Sequence, residues 1–136
     1  MAAQFFKWDN SYSVNSDILN EQHQELFRIT NDLYEAFSKN AHKEQLGNII
    51  ERLYDYSKYH FSEEEKMLKA KGIRISPDHV MKHREFENNI KEYKEKFESG
   101  RFTVTYEMMN FLRTWLMEHI KGTDQEYAGS FSPGEK

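Results

Sequence analysis

Between a few punctuating residues, the apolar positions of this chain recur at intervals of three and four residues, the repeat of amphipathic helices and not of strands. A first stripe, from about Ile18 to Ser38, holds Leu19, His23, Leu26, Thr30, Leu33 and Phe37. A second, from about Lys43 to Lys71, holds Leu46, Ile49, Leu53, Ser57, His60, Glu64 and Met67, with Gly72 placed to stop the helix. Ser76 and Pro77 open a third helix as N-cap and first-turn proline; His79, His83, Phe86, Ile90, Tyr93 and Phe97 share its face as far as Gly100. The fourth starts near Thr105 and carries Met108, Leu112, Trp115 and His119. Helices of this length with short connections predict an all-α fold, an antiparallel up-down-up-down four-helix bundle. Residues 1–128 form the expected domain, and the polar segment 129–136 is expected to be a disordered tail.

Composition narrows the chemistry. A chain of 136 residues can bury about 68% of its unfolded surface, so a metal is not needed to make the fold stable and would be there for function. The absence of cysteine excludes disulfides, a thiol nucleophile, iron–sulfur clusters and thiolate zinc sites. Nineteen Lys and Arg against 23 Asp and Glu, interspersed along the chain, give a net charge of −4. That balance argues against nucleic acid or an anionic membrane as the partner. No apolar run is long enough to span a bilayer, and the N-terminus is too short and polar for a secretory signal, so a soluble cytoplasmic protein is expected.

The anomaly lies on the apolar stripes. Five of the six histidines, His23, His60, His79, His83 and His119, fall on inward faces, as does Glu64; His42, in a polar connector, is the internal contrast. Four residues turn a helix by about 400°, so His60 and Glu64 share one face and His79 and His83 another. His119 and Asp124, five apart, would diverge by about 140° on a regular helix. Gly122 between them is expected to loosen the last turn and let Asp124 swing back. Glu63 and Glu65, flanking Glu64, are expected to be solvated.

One histidine on an apolar face is ordinarily a core residue bonded to a carbonyl. Five imidazoles and two carboxylates buried together cost several kcal/mol per unpaired group unless something pairs them. Metal is the economical partner. Seven donors exceed the four of a structural zinc site, and nitrogen-rich ligation does not suit calcium or magnesium. Two octahedral ions, bridged by both carboxylates and by an oxo or hydroxo group and bound by five imidazoles, would keep one open position. Ferritin-like bundles instead use Glu-x-x-His motifs, which do not occur at the needed places. The His-Glu-x-x-His of zincins and the His-Asp dipeptide of HD-type phosphohydrolases are also absent.

The pattern Asn20-Glu-Gln-His23, His60-Phe-Ser-Glu-Glu64, His79-Val-Met-Lys-His83 and His119-Ile-Lys-Gly-Thr-Asp124 resembles the hemerythrin family, in its single-domain bacterial form, from about Trp8 to Tyr127. The resemblance implies a pair of non-haem irons with an oxo or hydroxo bridge. His79, His83 and His119 would complete one six-coordinate iron, His23 and His60 would hold the second, and Glu64 and Asp124 would bridge both. Dioxygen would bind reversibly at the vacancy on the second iron. Leu116 matches a leucine that packs over the oxygen-binding face in the family, with Trp115, Ile120 and Phe27 as its expected neighbours. Trp8 matches a tryptophan of an N-terminal arm that packs across the bundle. Asn20 stands where the family commonly has aspartate, so an amide replaces the acid that would tune a ligand there.

Imidazole-rich ligation removes negative charge that would stabilise high-valent iron, so such a site should hold dioxygen and not cleave it. Oxygen storage, transport or delivery by a non-enzymatic protein is therefore the expected function, and the resemblance implies a monomer. The same site could serve a redox sensor or adaptor with a protein partner, or an enzyme acting on peroxide or nitric oxide.

Overall fold

A computed structural model describes residues 8–74, 76–101 and 103–125. The expected tail at 129–136 lies outside them. Four helices follow one another: α1 (Asp17–Ser38), α2 (Lys43–Ala70), α3 (Pro77–Glu98) and α4 (Val104–Glu118). They form an all-α, up-down-up-down four-helix bundle in which each helix packs on its sequence neighbour and α1 closes the ring against α4. No strand occurs among the described residues.

The helix ends are set by local chemistry. Ser16 Oγ accepts the Leu19 amide at 3.3 Å and Ser76 Oγ the His79 amide at 3.1 Å, with Pro77 opening α3 as expected. α2 and α3 end on Gly72 (φ 74°) and Gly100 (φ 103°), each in the left-handed region that costs glycine least. Beyond them Ile73 donates to the Leu68 carbonyl at 2.9 Å and Arg101 to the Lys96 carbonyl at 3.0 Å, the six-residue bond of a Schellman end. α1 uses the same motif with Asn40 (φ 52°) in place of glycine, as Ala41 donates to Ala36 at 2.9 Å.

Before α1, a short 3-10 turn at Asn10–Tyr12 forms part of the N-terminal arm. Trp8 and Tyr12 stack with ring centroids 5.4 Å apart, and both rest on Phe27, at 5.6 Å and 4.9 Å. Asn20 fastens the arm, its Oδ1 accepting the Val14 amide at 2.9 Å and its Nδ2 donating to Ser13 Oγ at 3.0 Å. Its side chain therefore serves the arm; the cap of α1 is Ser16.

The buried apolar residues fall into two clusters. The larger fills the bundle with Leu26, Leu53, Phe61, Phe86, Leu112 and their neighbours; the smaller joins Val14, Leu19 and Leu68. Along α1 the chain passes from Leu19 to Leu26 through His23, and along α2 from Phe61 to Leu68 through Glu64. A polar layer thus separates two apolar regions.

Candidate metal centre

All seven sequence-derived candidates lie in this layer. His23 comes from α1, His60 and Glu64 from α2, His79 and His83 from α3, and each of the seven is at most 3% exposed. His119 and Asp124 flank the segment after α4, which is π-helical over His119–Thr123. The Asp124 amide donates to the His119 carbonyl at 2.7 Å, the five-residue bond of a π turn. Residues five apart then share a face, and Asp124 Oδ1 lies 3.0 Å from His119 Nε2. The expected return of Asp124 occurs, but through this turn: Gly122 keeps an ordinary negative φ.

The two carboxylates divide their oxygens between two sets of imidazoles. Glu64 Oε1 lies 3.1 Å from His83 Nε2 and 3.7 Å from His79 Nε2; Oε2 lies 3.4 Å from His23 Nε2 and 3.5 Å from His60 Nε2. Asp124 Oδ1 lies 3.0 Å from both His79 and His119 Nε2, and its Oδ2 lies 3.3 Å from His23 Nε2. The donor atoms form one group of Glu64, His79, His83, His119 and Asp124 and a second of His23, His60 and Glu64, each within 4.8 Å across.

The far side of two rings is anchored. His60 Nδ1 donates to Gln22 Oε1 at 2.7 Å, and His83 Nδ1 to Glu65 Oε2 at 2.8 Å. Those bonds place the ring proton outward and turn the Nε2 lone pair toward the carboxylates. Glu65, expected to be solvated, is thereby part of the site. Adjacent residues on α2 point about 100° apart, which is why Glu65 escaped the face count that found Glu64. Gln22, beside His23, was missed for the same reason.

Electrostatics follow from burial and pairing. Burial pulls His23 and His79 down, but Asp124 and Glu64 beside them hold each up at about 9. His60 is pushed down to about 3 by burial, and burial also lowers His119. Burial alone would raise Glu64; the His23, His79 and His83 rings beside it hold it well below the usual carboxylate range. Asp124 is depressed as well, where His119 and His23 outweigh both burial and the charge of Glu64.

As an all-protein network the cluster is poorly satisfied. Neither ring nitrogen of His23 makes a hydrogen bond, Asp124 Oδ2 accepts none, and His83 and His119 meet Nε2 to Nε2 at 3.1 Å. Inward lone pairs of this kind fit cations, and mixed imidazole and carboxylate donors suit a divalent transition metal better than calcium or magnesium.

Aromatic rings back the cluster. Trp115 stacks on His119 at 4.3 Å and Phe61 on His83 at 4.2 Å. Trp115 therefore lies against the three-histidine group. Phe61 is at helical spacing from Leu53 and Ser57, a signal in the sequence that the stripe count passed over. Leu116 and Ile120 are buried in the larger core, and Phe27, one turn beyond His23, is the platform for the arm.

A four-helix bundle with a buried His, Glu and Asp cluster able to hold metal defines the class. The family model described as the hemerythrin HHE cation binding domain matches residues 14–130, and the chain belongs to the hemerythrin family. A bacteriohemerythrin from Stenotrophomonas maltophilia is 28% identical over 121 residues, covering 89% of this chain and 78% of that protein. A myohemerythrin from Theromyzon tessulatum is 31% identical over 124 residues, covering 91% and 92%. A crystal structure of wild-type hemerythrin aligns with a TM-score of 0.83 at 25% identity, covering 91% of this chain and 95% of that one.

Proposed function

We propose that this protein holds two iron ions in the cluster and binds dioxygen reversibly, as an oxygen-storing or oxygen-delivering protein. The observation that carries the reading is the division of each carboxylate, one oxygen toward His79 with His83 or His119 and the other toward His23. Two carboxylates so placed can hold two ions side by side. His79, His83 and His119 would complete the ligation of one, and His23 with His60 that of the other. Fewer imidazoles on the second ion leave room there for dioxygen.

Iron, when bound, supplies the reversible electron donation that dioxygen binding requires. The protein's own part is to position donors and keep water out. Gln22 and Glu65 orient His60 and His83 from behind. Leu116, Ile120, Phe27 and Trp115 are the apolar residues proposed to surround the oxygen-binding side and the ring of His119. A dry lining of this kind slows the entry of water and protons and so slows one-way oxidation.

Cycling the reduced, iron-loaded chain between air and vacuum without added reductant tests the function. The expected result is a visible absorption band that appears in air and disappears under vacuum over several cycles. Immediate conversion to an oxidised form that vacuum does not reverse would contradict it.

A further inference from the structure

Two imidazoles of the cluster are backed by acceptors of different charge. Behind His60 stands the neutral amide of Gln22, itself buried and 2.7 Å from Nδ1. Behind His83 stands the carboxylate of Glu65, 2.8 Å from Nδ1, and the same Oε2 takes the Arg84 guanidinium at 2.5 Å. Arg84 in turn reaches Glu87 at 2.6 Å, so Glu65 of α2 is held by two neighbouring residues of α3. Glu65 also borders an open cavity of about 390 Å³ with Lys69, Ile73, Arg74 and Val80, whereas Gln22 is enclosed. A carboxylate accepts an N–H more strongly than an amide does and makes the opposite ring nitrogen a better donor.

We propose that Glu65 is a positioning and tuning residue that makes His83 the stronger donor of the two, so that the halves of the cluster are electronically unequal before any ligand arrives. The proposal rests on the di-iron reading for its consequence, but not for its hydrogen bond. Arg84 fixes the carboxylate in place, and its link through α3 to Glu87 keeps Glu65 from turning to solvent. The half completed by His79, His83 and His119 is then the better home for positive charge. The half with His23 and His60, backed by a neutral amide, retains the weaker donor.

The test uses the full chain in long-range proton–nitrogen spectra of its imidazoles, first metal-free and then with zinc alone. In the wild type the Nδ1 proton of His83 should resonate further downfield than that of His60. Glu65→Gln keeps an acceptor but removes the charge, and should move the His83 proton toward the His60 position. Glu65→Leu should remove that resonance and weaken zinc binding by roughly ten- to a hundredfold. In the iron-loaded chain, Glu65→Gln should raise the midpoint potential. Glu63→Gln removes the same charge from a half-buried neighbour whose ion pair is with Lys66 at 3.8 Å, and should change neither readout.

Either readout unchanged in Glu65→Gln overturns the proposal, as does an equal shift from Glu63→Gln. If neither zinc nor iron binds while the metal-free resonances shift as stated, the di-iron reading fails and the asymmetric hydrogen bonding stands.

Discussion

The Asp124 amide donates to the His119 carbonyl at 2.7 Å, and the same turn places Asp124 Oδ1 3.0 Å from His119 Nε2. A five-residue hydrogen bond thus converts an α-helical mismatch into a shared face. Inserting one alanine after Lys121, an exposed residue inside the π segment, would set His119 and Asp124 six residues apart and turn Asp124 away by about 100°. Helical circular dichroism should persist while bound metal, measured by mass spectrometry, falls sharply. Full metal content in the insertion variant would show that the five-residue spacing of the π turn is not what brings Asp124 to the cluster.

Glu64 and His42 provide a contrast between an engaged and a solvated residue. Glu64 faces four imidazoles in the interior, whereas His42 is exposed and makes no side-chain cap bond at the start of α2. Glu64→Ala should cost about 3–5 kcal/mol in the metal-free protein, because buried imidazoles lose their counter-charge. It should also remove most of the bound metal. His42→Ala should alter neither the denaturation midpoint nor the metal content; equal effects from the two would contradict the site.

Metal uptake should release protons. Without metal, burial pulls His23 and His79 down, but Asp124 and Glu64 hold both at about 9, so each carries a proton at neutral pH. A ligating imidazole must give up the proton from its binding nitrogen. Zinc binding at pH 7 should therefore release about two protons, and affinity should climb with pH until about 9. Calorimetric titration in buffers of different ionisation enthalpy measures the release. A heat independent of the buffer would rule it out.

Leu116 sits in the larger core at 1% exposure, one turn before His119. Leu116→Ala should lower stability by about 2–5 kcal/mol through the lost contacts and the space left behind. With water closer to the proposed oxygen-binding side, one-way oxidation in air should also accelerate. A destabilised variant with an unchanged oxidation rate would make Leu116 a packing residue alone.

The bundle was legible in the sequence because its information is periodic. Apolar residues every three or four positions place four faces, and Ser76, Pro77, Gly72 and Gly100 mark ends by chemistry that acts within a few residues. His60 with Glu64 and His79 with His83 were legible for the same reason, since four-residue spacing makes neighbours on any α-helix. What depends on another helix was not legible. Glu65 finds His83 on α3 and Gln22 on α1 finds His60 on α2, pairings that no local spacing encodes. Asn20 was placed by the resemblance where an acid could tune a ligand, yet its hydrogen bonds reach back to Ser13 and Val14 in the arm. The π turn was anticipated only as a need for Asp124 to return, and its geometry comes from hydrogen bonding that the helical repeat does not contain.

Anaerobic titration of the metal-free full chain with ferrous ion tests the two-ion centre most directly. The division of Glu64 and Asp124 between two sets of histidines predicts saturation at two irons per chain, followed by a visible band on admission of air. Saturation at one iron, or none retained after desalting, would contradict a paired centre.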